Sequence, residues 1–219
     1  MGFQRARSEE QRQARRRTIL DTAAAMLADR PVADIGLNEL ARCVGLAKSN
    51  VLRYFESREA VLLELLDLTY REWLAELRPK LSGATGELPA RRKWVIDAVV
   101  STLVAKPMLC ELWSSQAAVL ERNVSPEVAA RFKRSWLAAT AELSELVRGA
   151  LPELGPDDAM KFAGVLVFSA GSLWSHTNPS AAMLTAYERN PDLAAVRLDF
   201  ATALTELLTV IAKGVLAPE

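Results

Sequence analysis

The chain has 219 residues, half hydrophobic and a quarter charged, a composition that suits one substantial folded domain or a small domain joined to a larger one and excludes a disordered chain. Charge or Gly/Pro interrupts every apolar run short of the roughly 18 residues of a membrane span, so no membrane association is expected. The 27 basic and 27 acidic residues cancel, yet residues 1–55 hold ten Lys/Arg against six Asp/Glu, so a segment of net +4 precedes a remainder of net −4, an asymmetry that suits a polyanionic partner.

No stretch alternates apolar and polar residues as a half-buried strand would, and the apolar spacing is helical nearly throughout. The first helix is predicted over 8–29. Ser8-Glu9-Glu10-Gln11 has the form of a capping box at its start, and Ile19, Leu20, Ala23, Ala24 and Leu27 form its inward stripe. Two short helices follow at 37–44 and 48–54, then a longer one at 57–78 that Pro79 should stop. After a Gly-containing loop, helices are predicted at 88–105, 107–121, 126–150, 157–176, 179–189 and 191–213. Ser125-Pro126, Asn178-Pro179 and Asn190-Pro191 each place a capping residue before a proline, and two acids follow Gly155-Pro156 where the helix dipole favours them. Gly214 ends the last helix.

The two short helices carry the first functional signal. Leu37, Leu40, Ala41 and Val44 form an apolar stripe that Gly45 terminates. In the next helix Val51, Leu52 and Phe55 are expected to point inward, leaving Lys48, Ser49, Asn50, Arg53 and Tyr54 outward. Two short helices joined by a glycine turn make a helix-turn-helix, and a thin second helix with a polar, cationic outer side suits the major groove. Asn pairs bidentately with adenine and Arg or Lys with guanine, while Ser, Tyr and the basic groups also hold phosphates. The same geometry is common as plain structure, so periodicity alone leaves the DNA reading open. The arginines at 5, 7, 12 and 15–17 read as a minor-groove or phosphate-contacting arm, with a solvated tail before the first helix as the alternative for Arg5 and Arg7.

The pattern Leu40-Ala41-x-x-Val44-Gly45-Leu46-x-x-x-x-Val51-x-x-Tyr54-Phe55-x-Ser57-Arg58-Glu59-Ala60-Val61-Leu62 resembles the signature of the TetR family of transcriptional regulators over residues 15–65. The rest of the chain is similar to that family in length and all-helical layout. The resemblance implies that Lys48, Ser49, Asn50 and Arg53 face DNA, that Tyr54 packs or touches phosphate, and that Arg58 grips phosphate from the start of the next helix. Gly36, Ala47 and Leu52 depart from the family's pattern by removing two side-chain caps and a DNA-touching tyrosine. The expected fold is all-α, with a three-helix DNA-binding domain at 1–60 and a helical ligand-binding and dimerisation domain at 61–219.

In the C-terminal part, aromatic residues at helical spacing read first as core. Met108, Leu112, Trp113, Gln116, Phe132, Trp136, Phe168, Ser172 and His176 nevertheless mix large apolar faces with a few polar groups, which is what a small-molecule pocket requires. That they line such a pocket rests partly on the family's habit of binding ligands between these helices. For the dimer the family implies, Ala163, Gly164, Ala170 and Gly171 are small enough for close helix contact, and Phe200, Leu204, Leu207, Leu208 and Ile211 form an apolar stripe. The alternative is that they pack within one chain.

His176 is the only histidine, and Cys43 and Cys110 lie far apart, so neither a transition-metal site nor another cofactor is expected; two dispersed cysteines suit a reducing cytoplasm. No nucleophile–base set, phosphate loop or paired carboxylates support an all-α enzyme. The expectation is a cytoplasmic homodimer that binds palindromic double-stranded operator DNA, most often as a repressor, and is released by a small, largely apolar effector. A ligand-independent helix-turn-helix protein is the alternative.

Overall fold

The computed structural model describes the backbone of residues 2–216 and the side chains of residues 9–216. Among these residues every regular element is helical. Helix α1 (Gly2–Asp29) runs further back than expected, so Ser8 lies inside it rather than at its start, and the side-chain cap read there falls outside the described side chains. Ile19, Leu20, Ala23, Met26 and Leu27 are buried, at the spacing of one helical face.

Helix α2 (Leu37–Val44) ends at Gly45, whose φ of +73° is open to glycine at no steric cost. The Leu46 amide donates to the Ala41 carbonyl (2.9 Å) and the Gly45 amide to that of Arg42 (3.1 Å), the paired bonds of a Schellman turn. Helix α3 (Lys48–Val51) is a single turn, shorter than the expected 48–54, but backbone bonds from Tyr54 and Phe55 to the Val51 carbonyl continue its course. Neither Gly36 nor Ala47 caps its helix with a side chain. Helix α4 (Arg58–Leu81) starts at Ser57, whose hydroxyl accepts the Ala60 amide at 3.1 Å. Pro79 does not stop it as expected. The helix closes at Leu81, where the Trp94 indole takes the Lys80 carbonyl (2.8 Å) and the Ser82 hydroxyl that of Pro79 (2.9 Å).

Helices α5 (Leu88–Val104), α6 (Pro107–Ser115), α7 (Pro126–Ala150), α8 (Pro156–Thr177), α9 (Ala181–Arg189), α10 (Pro191–Ala194) and α11 (Phe200–Val215) follow. Two differ from expectation. The helix read over 107–121 is α up to Ser115 and π over Gln116–Leu120. The helix read over 191–213 is broken: α10 ends at Ala194, and Asp199 restarts the chain by accepting the Thr202 amide (2.9 Å) and hydroxyl (2.7 Å).

The chain forms two compact units. The first holds residues up to Leu68 together with Ser115–Arg134, so the π-helical turn, the loop after it and the start of α7 belong with α1 to α3 and the first part of α4. Within it, α1 packs on α2 and α2 on α3. The second holds Thr69–Ser114 and the residues from Ser135 onward. Its α11 packs against both α5 and α8. There, Trp113 meets Tyr70 and Trp73 edge-on, with ring centroids 5.1 and 5.7 Å away. The Trp73 indole donates to Thr102 Oγ1 (2.9 Å), and the Tyr70 hydroxyl lies 3.3 Å from Thr140 Oγ1. Burial pushes the Tyr70 hydroxyl above its ordinary range, which keeps it neutral.

Candidate nucleic-acid interface

Val51 and Phe55 are buried, and this anchors the one-turn helix by its inner side. Lys48, Ser49, Asn50 and Arg53 are consequently exposed and Tyr54 half-buried. Leu52, expected inward, is exposed at 41%. None of the Lys48, Ser49, Asn50 and Arg53 side chains is held in an ion pair or hydrogen bond among the described residues. Beside them, Gln11, Arg12, Ala14, Arg15 and Thr18 of α1 line a groove of about 740 Å³ together with Arg53 and Tyr54. The groove thus gathers the guanidinium groups of Arg12, Arg15 and Arg53, none of them in an ion pair among the described residues, a surface that attracts phosphate.

The remaining arginines of the basic segment divide differently. Arg16 donates to the Tyr54 carbonyl and pairs with Glu64, and its guanidinium lies 4.1 Å over the Phe55 ring. Arg17 pairs with Asp21 at 2.8 Å. Both are engaged within the chain, and Arg5 and Arg7 lie outside the described side chains. Arg58 is turned inward: it bonds Glu59 through Nε (3.0 Å) and Nη2 (2.9 Å), and Nη1 donates to the Ile35 carbonyl at 3.0 Å. It ties the start of α4 to the loop before α2, and the near-burial of Glu59 fixes it there. The sequence hides this role because the partner is the residue next to it.

The residues read as an effector pocket divide between the two units. In the first, Gln116 is buried and donates to Glu121 (2.8 Å), and Phe132 is buried. In the second, Leu112 and Trp113 are buried, Met108 is half-buried, and Trp136 stacks on Phe168 at 5.6 Å and 27°. Phe168 is nevertheless 63% exposed, and Ser172 and His176 are exposed, so these three face outward in the chain. The indole nitrogen of Trp113 is buried with no hydrogen-bond acceptor among the described residues. A further groove of about 490 Å³, which the sequence did not suggest, lies among Trp174, Thr177, Asn178, Arg197, Asp199 and Phe200. Its wall is the break between α10 and α11, invisible while 191–213 reads as one helix. Among the described residues no group of three or more His, Cys, Asp or Glu could hold a metal ion. No described helix is long and apolar enough to cross a membrane.

The residues read as a dimer face are also redistributed. Ala163, Ala170, Phe200, Leu204 and Leu208 are buried inside the chain, and Gly171 packs so close to α6 that an added Cβ would lie 3.0 Å from the Trp113 backbone. These six serve intrachain packing. Gly164, Leu207 and Ile211 remain partly accessible, and the exposed apolar side chains near them in sequence are Met160, Val165, Phe168 and Val210.

Comparison with known proteins divides the chain once, near residue 66. Residues 19–65 match the model of bacterial regulatory proteins of the tetR family, and residues 67–219 match the tetracyclin repressor-like C-terminal domain. The HTH-type transcriptional regulator EthR of Mycobacterium tuberculosis (strain H37Rv) is 34% identical over 145 residues, covering 63% of this chain and 64% of that protein. The chain therefore spans under two thirds of the length of this relative. Among solved structures, FadR of Thermus thermophilus, a TetR-family transcriptional repressor in complex with lauroyl-CoA, superimposes with a TM-score of 0.58 at 17% identity, over 93% of this chain and 96% of that one. The fatty acid degradation regulator FadR of Bacillus halodurans gives 0.56 at 14% identity, over 91% and 95%. At such identities these structures share the fold.

Proposed function

Because the chain belongs to the TetR family of transcriptional regulators, we propose that it is a repressor that binds a palindromic operator as a homodimer and leaves it when a small effector binds. The observation that carries the DNA reading is the surface of Lys48, Ser49, Asn50 and Arg53, uncommitted within the chain and continued by Arg12 and Arg15 along one groove. Asn50 and Arg53 read base edges, Tyr54 and Ser49 contact the backbone, and Lys48, Arg12 and Arg15 hold phosphate. Arg58 leaves this set and acts by holding the head together. Two such heads on a two-fold axis would enter successive major grooves.

The effector side rests on different support. Trp113 offers a buried N–H donor among aromatic rings, which favours a largely apolar ligand with an acceptor oxygen. The acyl chain and thioester carbonyl of lauroyl-CoA, which the Thermus FadR holds, have that chemistry, although its coenzyme A part is polyanionic, and it is the first compound to test. An effector releases DNA only to the extent that it binds the DNA-incompetent arrangement better.

The experiment is a titration of the purified chain against a randomised duplex pool at several salt concentrations. Asn50→Ala and Arg53→Ala are each expected to relax base discrimination by roughly 1–3 kcal/mol. Affinity and selectivity left intact in both variants would refute the recognition-helix assignment. Release of the selected duplex by lauroyl-CoA, and loss of that release in Trp113→Phe, would support the effector reading. DNA binding that no acyl ligand alters would favour a ligand-independent regulator.

A further inference from the structure

The turn that follows the recognition helix is tethered in three directions. Arg16 holds its beginning, through the Tyr54 carbonyl and the Phe55 ring. Ser57 holds its end by capping α4 at the Ala60 amide. Between them, Glu56 Oε1 accepts the backbone N–H of Ser125 at 2.6 Å, across 69 residues of sequence. The first two tethers join the turn to its own segment of chain. The third joins it to the start of α7.

Ser125 is well placed for such a role. Its hydroxyl accepts the Val128 amide (3.2 Å) and its carbonyl the Ala129 amide (2.9 Å), so it caps α7. Pro126 has no N–H, and the Ser125 amide is left pointing out of the helix start, where the helix dipole favours a carboxylate. Val128 and Arg131, on the first turns of α7, line a groove of about 600 Å³ with Tyr54, Phe55 and Glu56. Arg12 and Arg16 also border it, as do Glu9 and Glu64, so the Glu56 carboxylate meets both signs of charge from α1, α4 and α7.

We infer that Glu56 is a positioning residue that couples the recognition turn to the N-terminus of α7, making Ser125 a point, besides α4, where the rest of the chain acts on the DNA-reading helix. This rests on the DNA reading above. Helix α7 is continuous from Pro126 to Ala150, so a shift at either end is carried along a stiff element. Coupling is reciprocal: if α7 sets the pose of the recognition turn, DNA that fixes that pose must stabilise the start of α7.

The test reads amide hydrogen exchange at Ser125 and Val128 by NMR, without and with a saturating duplex selected from a randomised pool by the wild-type chain. In the wild type the duplex is expected to slow exchange at both amides by roughly tenfold, the scale of one hydrogen bond to a charged group. Glu56→Gln keeps an acceptor oxygen and should retain most of that response. In Glu56→Ala the ratio with and without duplex should fall to about one, while the middle of α4 and of α7 exchanges as in the wild type. A purely structural Glu56 would give faster exchange in Glu56→Ala but an undiminished ratio, which would overturn the inference, as would a wild type with no response. A wild-type chain that retains no duplex refutes the DNA reading instead, and is told apart by the absence of binding itself.

Discussion

Arg53 leaves its guanidinium exposed, whereas Arg58, five residues on, turns its own onto Glu59 and the Ile35 carbonyl. The two should separate by measurement. Arg12→Ala and Arg15→Ala are each expected to lower the slope of log affinity against log salt by about one, and Arg53→Ala to relax base discrimination. Arg58→Ala should leave the slope alone and cost about 1–3 kcal/mol of stability, because nearly buried Glu59 loses its partner; thermal melts and salt titrations of the four variants check this. The sequence put Lys48, Ser49, Asn50 and Arg53 outward, where the structure has them, since exposure there follows from which residues point inward. It missed the fate of Arg16, Arg17 and Arg58, because an arginine's partner depends on what the fold brings alongside. The cysteines supply a second check. Burial pushes the Cys110 thiol up to about 12, so it stays protonated and unreactive in the folded chain, whereas Cys43 is exposed. A thiol reagent at pH 8 should therefore label one cysteine per native chain and two in denaturant. Because the folded value is the raised one, the stability Cys110 contributes is complete below the ordinary thiol range and fades as pH rises from there towards 12.

Helix α8 shows how one element makes opposite demands on its glycines. A Cβ on Gly171 would meet the Trp113 and Ser114 backbone at 3.0–3.1 Å, and backbone gives way poorly, whereas one on Gly164 would meet nothing within 4 Å. Gly171→Ala is expected to destabilise by about 1–3 kcal/mol, and Gly164→Ala to stabilise by about 0.5–1 kcal/mol, as read from denaturant unfolding. A Gly164→Ala chain that is more stable yet self-associates less would place that position at a helix contact in the proposed dimer. The start of α11 has its own test. Accepting the Thr202 amide, then its hydroxyl, holds the Asp199 carboxyl below its usual range. With a depressed folded value, the cap stabilises above the ordinary carboxyl range and is lost as pH falls through the lowered one. Asp199→Ala should melt earlier than wild type at pH 7, with the gap closing below about pH 4. Helix existence was legible almost everywhere, because capping residues and prolines mark the starts. The break before Asp199 was not, since Leu193, Val196 and Phe200 keep a helical apolar rhythm across it although Leu193 and Val196 are exposed.

At the scale of the molecule, apolar surface is left over on α8 and α11. Met160, Gly164 and Phe168 repeat every four residues on one side of α8, with Phe168 63% and Val210 68% exposed. Phe168→Glu is expected to turn the proposed dimer into a monomer in light scattering; a variant that stays dimeric would locate the interface elsewhere. Most of the residues that the sequence offered for a dimer face are buried within the chain, because small side chains that admit a neighbouring helix look alike whether it belongs to the same chain or another. The sequence also could not show that the first unit recruits Ser115–Arg134, a pairing of distant stretches that leaves no periodic trace. That recruitment bears on how the protein is made. During synthesis the DNA-reading unit stays unfinished after Leu68 has left the ribosome, and waits for more than fifty further residues before Ser125 emerges to meet Glu56. A nascent chain stalled before that point holds an incomplete reader, and a chimera spliced at residue 66 takes part of its head from the wrong parent.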